Sequence, residues 1–302
     1  MRYGLCCISL DLQELEVPLK FQTITYKRFS SLDRDDALEL LGDRILNNMI
    51  VTNETIKHCA VHDMCYRMSS DLFPLITYEK ASVDLTELPN HDDIQDAFDV
   101  LEATIASTGV RISCHPSEFN VLASTNADAV NRTIDELNFY SSFMDRIGCV
   151  ASHASPINLH VQNKEGDTGE IFARFLSSWD RLDPNCRARL VLENDDKASC
   201  WSVRQLVDVF HSRLSIPVTF DYLHHKCHPD GLTEQEAFDL AHSTWPVKPL
   251  FHYSESRSED KPRAHADYAE SKFEVYQDAD VDFELKMKDK AIHRHREQYA
   301  VA

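Results

Sequence analysis

Short runs of apolar and β-branched residues alternate with longer segments of helical spacing along the whole chain. Several of the short runs are apolar on both faces, which is typical of parallel strands covered by helices. The predicted strands span residues 3–9, 65–69, 110–115, 157–161, 190–193, 218–223, 250–254 and 281–286. This pattern predicts an α/β fold in which strands and helices alternate.

Between the strands, apolar residues recur at steps of three and four, as they do on the buried face of a helix. Stripes of this kind run over 94–105, 130–144 and 203–210, and residues 33–58 form one long or broken helix. Ser202 directly precedes the third stripe and is its predicted N-cap. Packing against the core explains the stripes, so we assign them no chemistry.

Eight strand–helix alternations are the number that a (β/α)8 TIM barrel needs. We expect a single domain over residues 1–302, with its active site at the C-terminal ends of the strands and a basic C-terminal extension over about 286–302. An open doubly wound sheet is the alternative. The sequence has no G-x-G-x-x-G after the first strand, no Walker A motif and no G-x-S-x-G elbow. Nothing therefore supports a dinucleotide site, a P-loop or a hydrolase elbow.

The composition is that of an intracellular protein. No apolar run approaches the roughly 18 residues of a membrane span, and the N-terminus lacks the apolar region of a signal peptide. The nine cysteines contain no C-x-x-C pair, which favours reduced thiols. We therefore expect a cytoplasmic monomer without a membrane partner.

The chain is strongly acidic, with 31 Lys and Arg, 50 Asp and Glu, and a formal net charge of −19. Such a surface repels polyanions, so a role on nucleic acid needs a local basic patch or a metal-lined site. One candidate patch follows the last strand and contains Lys286, Lys288, Lys290, His293, Arg294, His295 and Arg296. Arg67, at the second strand, is another candidate for contact with phosphate.

Six of the predicted strands end in a histidine or an acidic residue. These residues are His115, His160, Glu193, Asp221, His252 and Glu284, with His224 three residues after Asp221. In a parallel barrel such ends converge on one face. Three imidazoles and three carboxylates would be destabilised there unless positive charge lay among them, and mixed sets of this kind suit Zn²⁺, Mn²⁺ or Fe²⁺. The pattern predicts a site for more than one divalent ion.

Two kinds of chemistry fit such a site. Clustered divalent ions support displacement at a phosphate ester, and the same ligands could hold a sugar for a metal-assisted isomerisation. The ligand types alone do not decide between them. His265, in PRAHADY, lies between strands seven and eight and could reach the site. Other histidines, which include His58 and His62, fall in helical or loop contexts and are expected to be solvated.

Eight short motifs follow one another from the second strand onward. They are YRMSSDLFP (66–74), ISCHPSEFNVL (112–122), NLHVQ (158–162), VLENDDK (191–197), TFDYLHHKCHP (219–229), FHYSES (251–256), PRAHADY (262–268) and ELKMK (284–288). In sequence and in order they resemble motifs of the UV damage endonucleases, which are relatives of the endonuclease IV-type AP endonucleases and of the xylose-isomerase-like barrels. The resemblance covers most of the chain from the second strand onward.

The resemblance implies a metal-dependent DNA repair endonuclease. It implies that damaged double-stranded DNA is cut immediately 5′ to a UV photoproduct or other lesion, with two or three divalent ions per chain, manganese first and zinc or magnesium as alternatives. The implied metal ligands are His115, His160, Glu193, Asp221, His224, His252, His265 and Glu284, of which Glu193, His252 and Glu284 are the catalytic set. Lys286 and Lys288 would contact backbone phosphates, and Glu118 and Phe119 would contact the DNA at the lesion.

The chain departs from the family pattern at several positions. Tyr78 stands where the family has a metal-binding histidine, and Leu250 stands where it has a lysine that can be carboxylated. Glu118 and Phe119 replace a Gln-Tyr pair that probes the lesion, and Leu5 replaces a tyrosine. These departures keep three other functions open, namely an AP-endonuclease-like nuclease, a metal-dependent sugar isomerase or epimerase, and a damage-binding protein without catalysis.

Overall fold

The computed structural model describes residues 1–162 and 165–299. Eight parallel strands form one sheet in the order β6-β5-β4-β3-β2-β1-β10-β7, and a short antiparallel hairpin pairs β8 with β9. The strands are β1 Tyr3–Cys6, β2 Met64–Met68, β3 Ile112–Cys114, β4 Ile157–His160, β5 Leu190–Glu193, β6 Val218–Thr219, β7 Leu250–Tyr253, β8 Ser256–Ser258, β9 Lys261–His265 and β10 Asp280–Phe283.

The sheet closes on itself between β6 and β7. Asp221 and His252 form a parallel bridge there, and the His252 amide donates to the Phe220 carbonyl at 2.9 Å. The predicted TIM barrel and its eight strands are thereby confirmed. Most barrel strands are buried along their whole length, because helices cover the outer face and packed side chains fill the inside.

Helices cover the outside of the barrel. They are α1 Leu10–Gln13, α2 Tyr26–Phe29, α3 Arg34–Val61, α4 His91–Thr108, α5 Ala127–Arg146, α6 Thr168–Trp179, α7 Pro184–Arg187, α8 Val203–Leu206, α9 Ser212–Leu214, α10 Tyr222–Cys227, α11 Glu234–His242 and α12 Lys288–Tyr299. A 3₁₀ turn spans Leu85–Glu87, and a π-helical turn over Val207–His211 joins α8 to α9. None of the helices within 1–162 and 165–299 is long and apolar enough to cross a membrane.

The helix predictions hold in detail. The segment predicted as one long or broken helix is the unbroken α3. Ser202 caps α8 as predicted, since its hydroxyl accepts from the Gln205 amide at 3.2 Å while the Gln205 side chain accepts from the Ser202 amide at 3.0 Å. All nine cysteines are free, and most are buried.

The basic segment after the last strand, a candidate for contact with phosphate, is only partly available for that role. Its helix α12 packs against the barrel with Asp289, Ala291, Ile292 and His295 buried. The His295 ring lies 5.2 Å from the Phe283 ring and 5.7 Å from the Tyr3 ring. His295 is therefore a core residue rather than a contact for phosphate. Residues 300–302 of the predicted extension lie outside the described residues.

Candidate metal centre

The side chains predicted as metal ligands meet at the C-terminal ends of the barrel strands. The register of the sheet aligns them, since His160 pairs with Glu193 across β4 and β5, and the Asp221–His252 bridge lies beside them. They open into a cavity of about 380 Å³. Its lining includes His115, His160, Glu193, His224, His265 and Glu284, together with Glu118, Gln162, Asp195, Asp196, Lys197 and Cys200.

Glu193 is the centre of the cluster and is only 1% exposed. Its Oε2 lies 3.0 Å from His252 Nδ1, 3.2 Å from His115 Nε2 and 3.5 Å from His160 Nε2. Its Oε1 lies 3.2 Å from His224 Nδ1. Four imidazoles from four different segments therefore surround one buried carboxylate.

A second edge of the cluster joins Asp221, His252 and Glu284. His252 Nδ1 lies 3.3 Å from Glu284 Oε1, and the donor atoms of the three residues lie within 4.8 Å of one another. Asp221 is the N-cap of α10, because its Oδ1 accepts from the His224 amide at 2.6 Å. Asn194 fixes the Asp221 backbone by accepting from its amide at 2.8 Å and donating to its carbonyl at 3.1 Å.

The charges of the site balance one another. Burial alone would raise the pKa of Glu193, but His252 and His160 hold it well below its usual range. Burial disfavours charge on His252, yet Glu193 and Glu284 raise its pKa to about 9. Burial also raises the pKa of Asp221 and lowers the pKa of His115. The imidazoles that face Glu193 thus favour its anionic form, and a divalent ion would supply positive charge in the same place.

The donor atoms fit a cation. Asp221 Oδ2 and Glu193 Oε1 are buried and have no hydrogen-bond partner among the described residues, a state that is costly for a carboxylate oxygen. His115 Nδ1 lies 2.9 Å from the Pro116 carbonyl and His265 Nδ1 lies 2.7 Å from the Glu284 carbonyl. In the neutral ring such a contact puts the proton on Nδ1 and leaves Nε2 as a ligand.

The predicted DNA-contacting residues and Tyr78 lie in or outside the cavity as follows. Glu118 lines the cavity, and Phe119 beside it is 82% exposed. Lys286 is exposed and Lys288 half-buried, just beyond the end of β10. Tyr78 lies outside the cavity lining and packs its ring 5.2 Å from that of Tyr26.

Arg67 is too deeply buried to contact a phosphate of the DNA backbone. Its side chain is 10% exposed, and its guanidinium donates to Glu284 inside the barrel. This partner is remote in the chain, so the sequence could not indicate it. The geometry gives Arg67 the role of neutralising a site carboxylate.

Asn158 and Asp282 are buried residues of the site that were not predicted. Asn158 Nδ2 donates to Glu193 Oε2, and Asp282 Oδ2 lies 3.9 Å from His252 Nε2. Each stands two residues before a predicted ligand, His160 and Glu284, and side chains two apart on a strand share a face. That alternation was the signal available in the sequence.

Comparison with known proteins gives one consistent match. The family model described as UV-endonuclease UvdE matches residues 1–300. The UV DNA damage endonuclease of Bacillus velezensis is 28% identical over 287 residues, which cover 90% of this chain and 87% of the relative. The UV DNA damage endonuclease of Bacillus cereus strain G9842 is 27% identical over 308 residues, covering 97% and 93%.

The fold match is equally broad. The solved structure of SacUVDE superposes with a TM-score of 0.81 at 26% identity, and both chains are covered in full. The match therefore includes the strand ends that carry the predicted metal ligands.

Proposed function

Because the chain belongs to the UV-endonuclease UvdE family, an enzyme family that acts on damaged DNA, we propose that it is a metal-dependent DNA repair endonuclease that cuts the backbone 5′ to UV photoproducts or other lesions. The observation that carries the metal requirement is Glu193, a buried carboxylate surrounded by four imidazoles at 3.0 to 3.5 Å.

Three overlapping groups of donors support the binding of two or three ions. They are His115, Glu193 and His252; His160, Glu193 and His224; and Asp221, His252 and Glu284. His265 lies at the edge of the third group through its contacts with Glu284. Manganese suits this mixture of imidazole and carboxylate, with zinc or magnesium as alternatives. Divalent ions held there supply the positive charge that phosphodiester hydrolysis requires at the attacking and leaving oxygens.

The other residues of the site position these ligands. Asn158 donates to Glu193 and so fixes the orientation of the central carboxylate. Arg67 donates to Glu284, which keeps that carboxyl anionic despite its burial. Since both supporting groups are themselves buried, the ligands are held before substrate arrives, as catalysis by positioned charge requires.

The rim of the cavity supports contact with DNA. Lys286 and Lys288 follow Glu284 closely and would contact backbone phosphates. Phe119 offers an exposed ring that can stack on a displaced base, and Glu118 can accept from a base edge. In this proposal the enzyme extrudes the damaged nucleotides from the duplex toward the cavity, and residues 1–302 act as one domain and as a monomer.

The test is a nicking assay on an end-labelled duplex that carries one cyclobutane dimer. An undamaged duplex and an abasic duplex run alongside, each in Mn²⁺ and in EDTA. We expect a single cut on the 5′ side of the dimer in Mn²⁺ and none in EDTA.

Other outcomes of this assay would distinguish the alternative functions. If only the abasic duplex is cut, the protein has the substrate specificity of an AP endonuclease. Binding of the dimer duplex without any cut, in a protein loaded with metal, would contradict the nuclease proposal and favour a damage-binding role. Turnover of a ketose in place of DNA would favour the epimerase chemistry.

A further inference from the structure

Five metal-competent side chains form a second group outside the barrel, and none of them lines the cavity of the metal centre. His58 is in the last turn of α3, His62 follows that helix, and His293 belongs to α12. One donor atom from each lies within 4.8 Å of the other two. Asp11 of α1 and Asp289 of α12 form an overlapping group with His58 under the same limit.

The packing of two helices produces this arrangement. His58 and His62 are four residues apart, which places both rings on one side of α3, and their centroids lie 4.5 Å apart. The His293 ring lies 4.7 Å from that of His62. Arg296 fixes the contact, since its guanidinium donates to the carbonyls of His62 at 2.5 Å and Asp63 at 2.9 Å.

The donor atoms of the group are placed to face a cation. His293 Nε2 lies 3.4 Å from Asp11 Oδ2, and His58 Nε2 lies 3.5 Å from Asp289 Oδ2. His58 Nε2 is buried and makes no hydrogen bond to any residue that the structure describes. Imidazole nitrogens beside carboxylate oxygens are donors that first-row transition-metal ions accept.

Asp289 links this second group of histidines and carboxylates to the segment that follows β1. The buried Asp289 carboxylate accepts from the Ser9 hydroxyl through Oδ2 and from the Leu10 amide at 2.9 Å through Oδ1. The carboxylate therefore joins the segment after β1 to the start of α12. An ion at this place would connect α1, α3 and α12, the last of which follows directly on the strand end that carries Glu284.

We propose that His58, His62 and His293, with Asp11 as the fourth donor, form a second metal site that takes Zn²⁺ or a similar first-row transition-metal ion and pins α12 to α3. Three imidazoles and one carboxylate match the four-coordinate preference of zinc and suit Mg²⁺ poorly. Bonds of about 2.0–2.1 Å require the donors to move closer together than they now are. The half-exposed His62, His293 and Asp11 side chains can make that adjustment by rotation. The site does not depend on the nuclease proposal.

Metal counting tests this proposal directly. Protein stripped with EDTA is reloaded with Zn²⁺, desalted and analysed by inductively coupled plasma mass spectrometry. We expect the double variant His62→Gln/His293→Gln to hold one equivalent of zinc fewer per chain than the wild type. His242→Gln is the matched control, because His242 ends α11 and belongs to none of the metal-competent groups found in 1–162 and 165–299.

Two further measurements separate this site from the metal centre. The same loss of one equivalent is expected when the double change is made in a Glu193→Gln background. Anomalous scattering at the zinc edge from a zinc-loaded crystal should give a peak between His58, His62 and His293. Equal zinc content in wild type and folded double variant, or density without that peak, would overturn the proposal. His62→Gln alone is the variant to use where the double variant does not fold, and it should show the same loss.

Discussion

Glu193 has the central position among the proposed metal ligands. It is the last residue of β5, and the strand alternation points it into the barrel while Val191 and Glu193 share that inner face. Its Oε1 contacts His224 and its Oε2 contacts His252, and it belongs to two of the three donor groups, whereas Glu284 belongs to one. Loss of its charge should therefore affect more than one ion.

We expect Glu193→Gln to lower the rate of nicking by about 100-fold or more and to reduce the bound Mn²⁺ by at least one equivalent. The change keeps the shape of the side chain and removes only its charge. Glu118→Gln is the matched control in the same cavity, and it should retain the full metal content because Glu118 is at the exposed rim. Wild-type metal content in a folded Glu193→Gln protein would contradict the proposed ligand set.

Phe119 gives a second prediction, which concerns the lesion. Phe119 is 82% exposed, which is unusual for a phenylalanine. Phe119→Ala should weaken binding to a dimer-containing duplex about tenfold, because stacking on a base contributes about 1–3 kcal/mol. Phe119→Tyr keeps the ring and should bind nearly as the wild type does. Fluorescence anisotropy with the damaged duplex measures both, and equal affinity of the alanine and tyrosine variants would exclude stacking.

At the opposite end of the barrel, Asp280 holds several strands together. This fully buried carboxylate opens β10 and accepts from the Arg2 amide at 2.8 Å, from Lys248 at 2.9 Å and from Arg111 at 3.3 Å. These partners lie next to β1, β7 and β3, respectively. Burial alone would raise the pKa of Asp280, but the hydrogen bonds from Lys248 and Arg2 lower it. The network therefore depends on the ionised form.

The sign of the pH effect follows from that shift. A carboxyl whose pKa is lower in the folded state stabilises the fold above its unfolded pKa of about 3.9, and the contribution is lost as the pH falls through the folded value. Asp280→Asn should lower the free energy of unfolding by about 3 kcal/mol at pH 7, since it leaves the buried Arg111 guanidinium without its carboxylate partner. The difference from wild type should shrink below about pH 4.

Chemical denaturation at a series of pH values measures this difference. Asp278→Asn is the control, because Asp278 also contacts Lys248, at 3.0 Å, but is 72% exposed. An exposed pair contributes little, so this variant should unfold almost as the wild type does. A constant effect of Asp280→Asn from pH 7 to pH 3 would mean that packing rather than charge is responsible.

The elements that sequence could predict are those with a regular apolar pattern. All eight barrel strands and the long helices were visible, and the strand ends gave His115, His160, Glu193, Asp221 and His252 their common location. The β8–β9 hairpin was not predicted, because Ser256–Ser258 and Lys261–His265 are mostly polar and exposed. The pairing of Arg67 with Glu284 and the contact of His58 with Asp289 join residues more than 200 positions apart, which no local pattern encodes.

The net charge of −19 sets the condition under which the whole molecule can bind DNA. A duplex approaching this chain is repelled at a distance and attracted only where positive charge is concentrated. The proposed metal centre would be one such place, and the segment after β10, with Lys286 exposed and Lys288 half-buried, is a second. Binding should therefore be weak, strongly dependent on salt and confined to the face that carries the cavity.

Lys286→Ala/Lys288→Ala tests that conclusion. Each phosphate contact contributes about 0.9 to the slope of log K against log salt, so the double variant should lower the slope by about 2 and weaken binding to damaged and undamaged duplexes alike. Lys57→Ala/Lys80→Ala removes the same charge from exposed positions elsewhere and should leave the slope unchanged. Titrations at several salt concentrations give both slopes. If the two double variants lose affinity equally, overall charge rather than a localised contact governs binding, and the face with the cavity has no special electrostatic role.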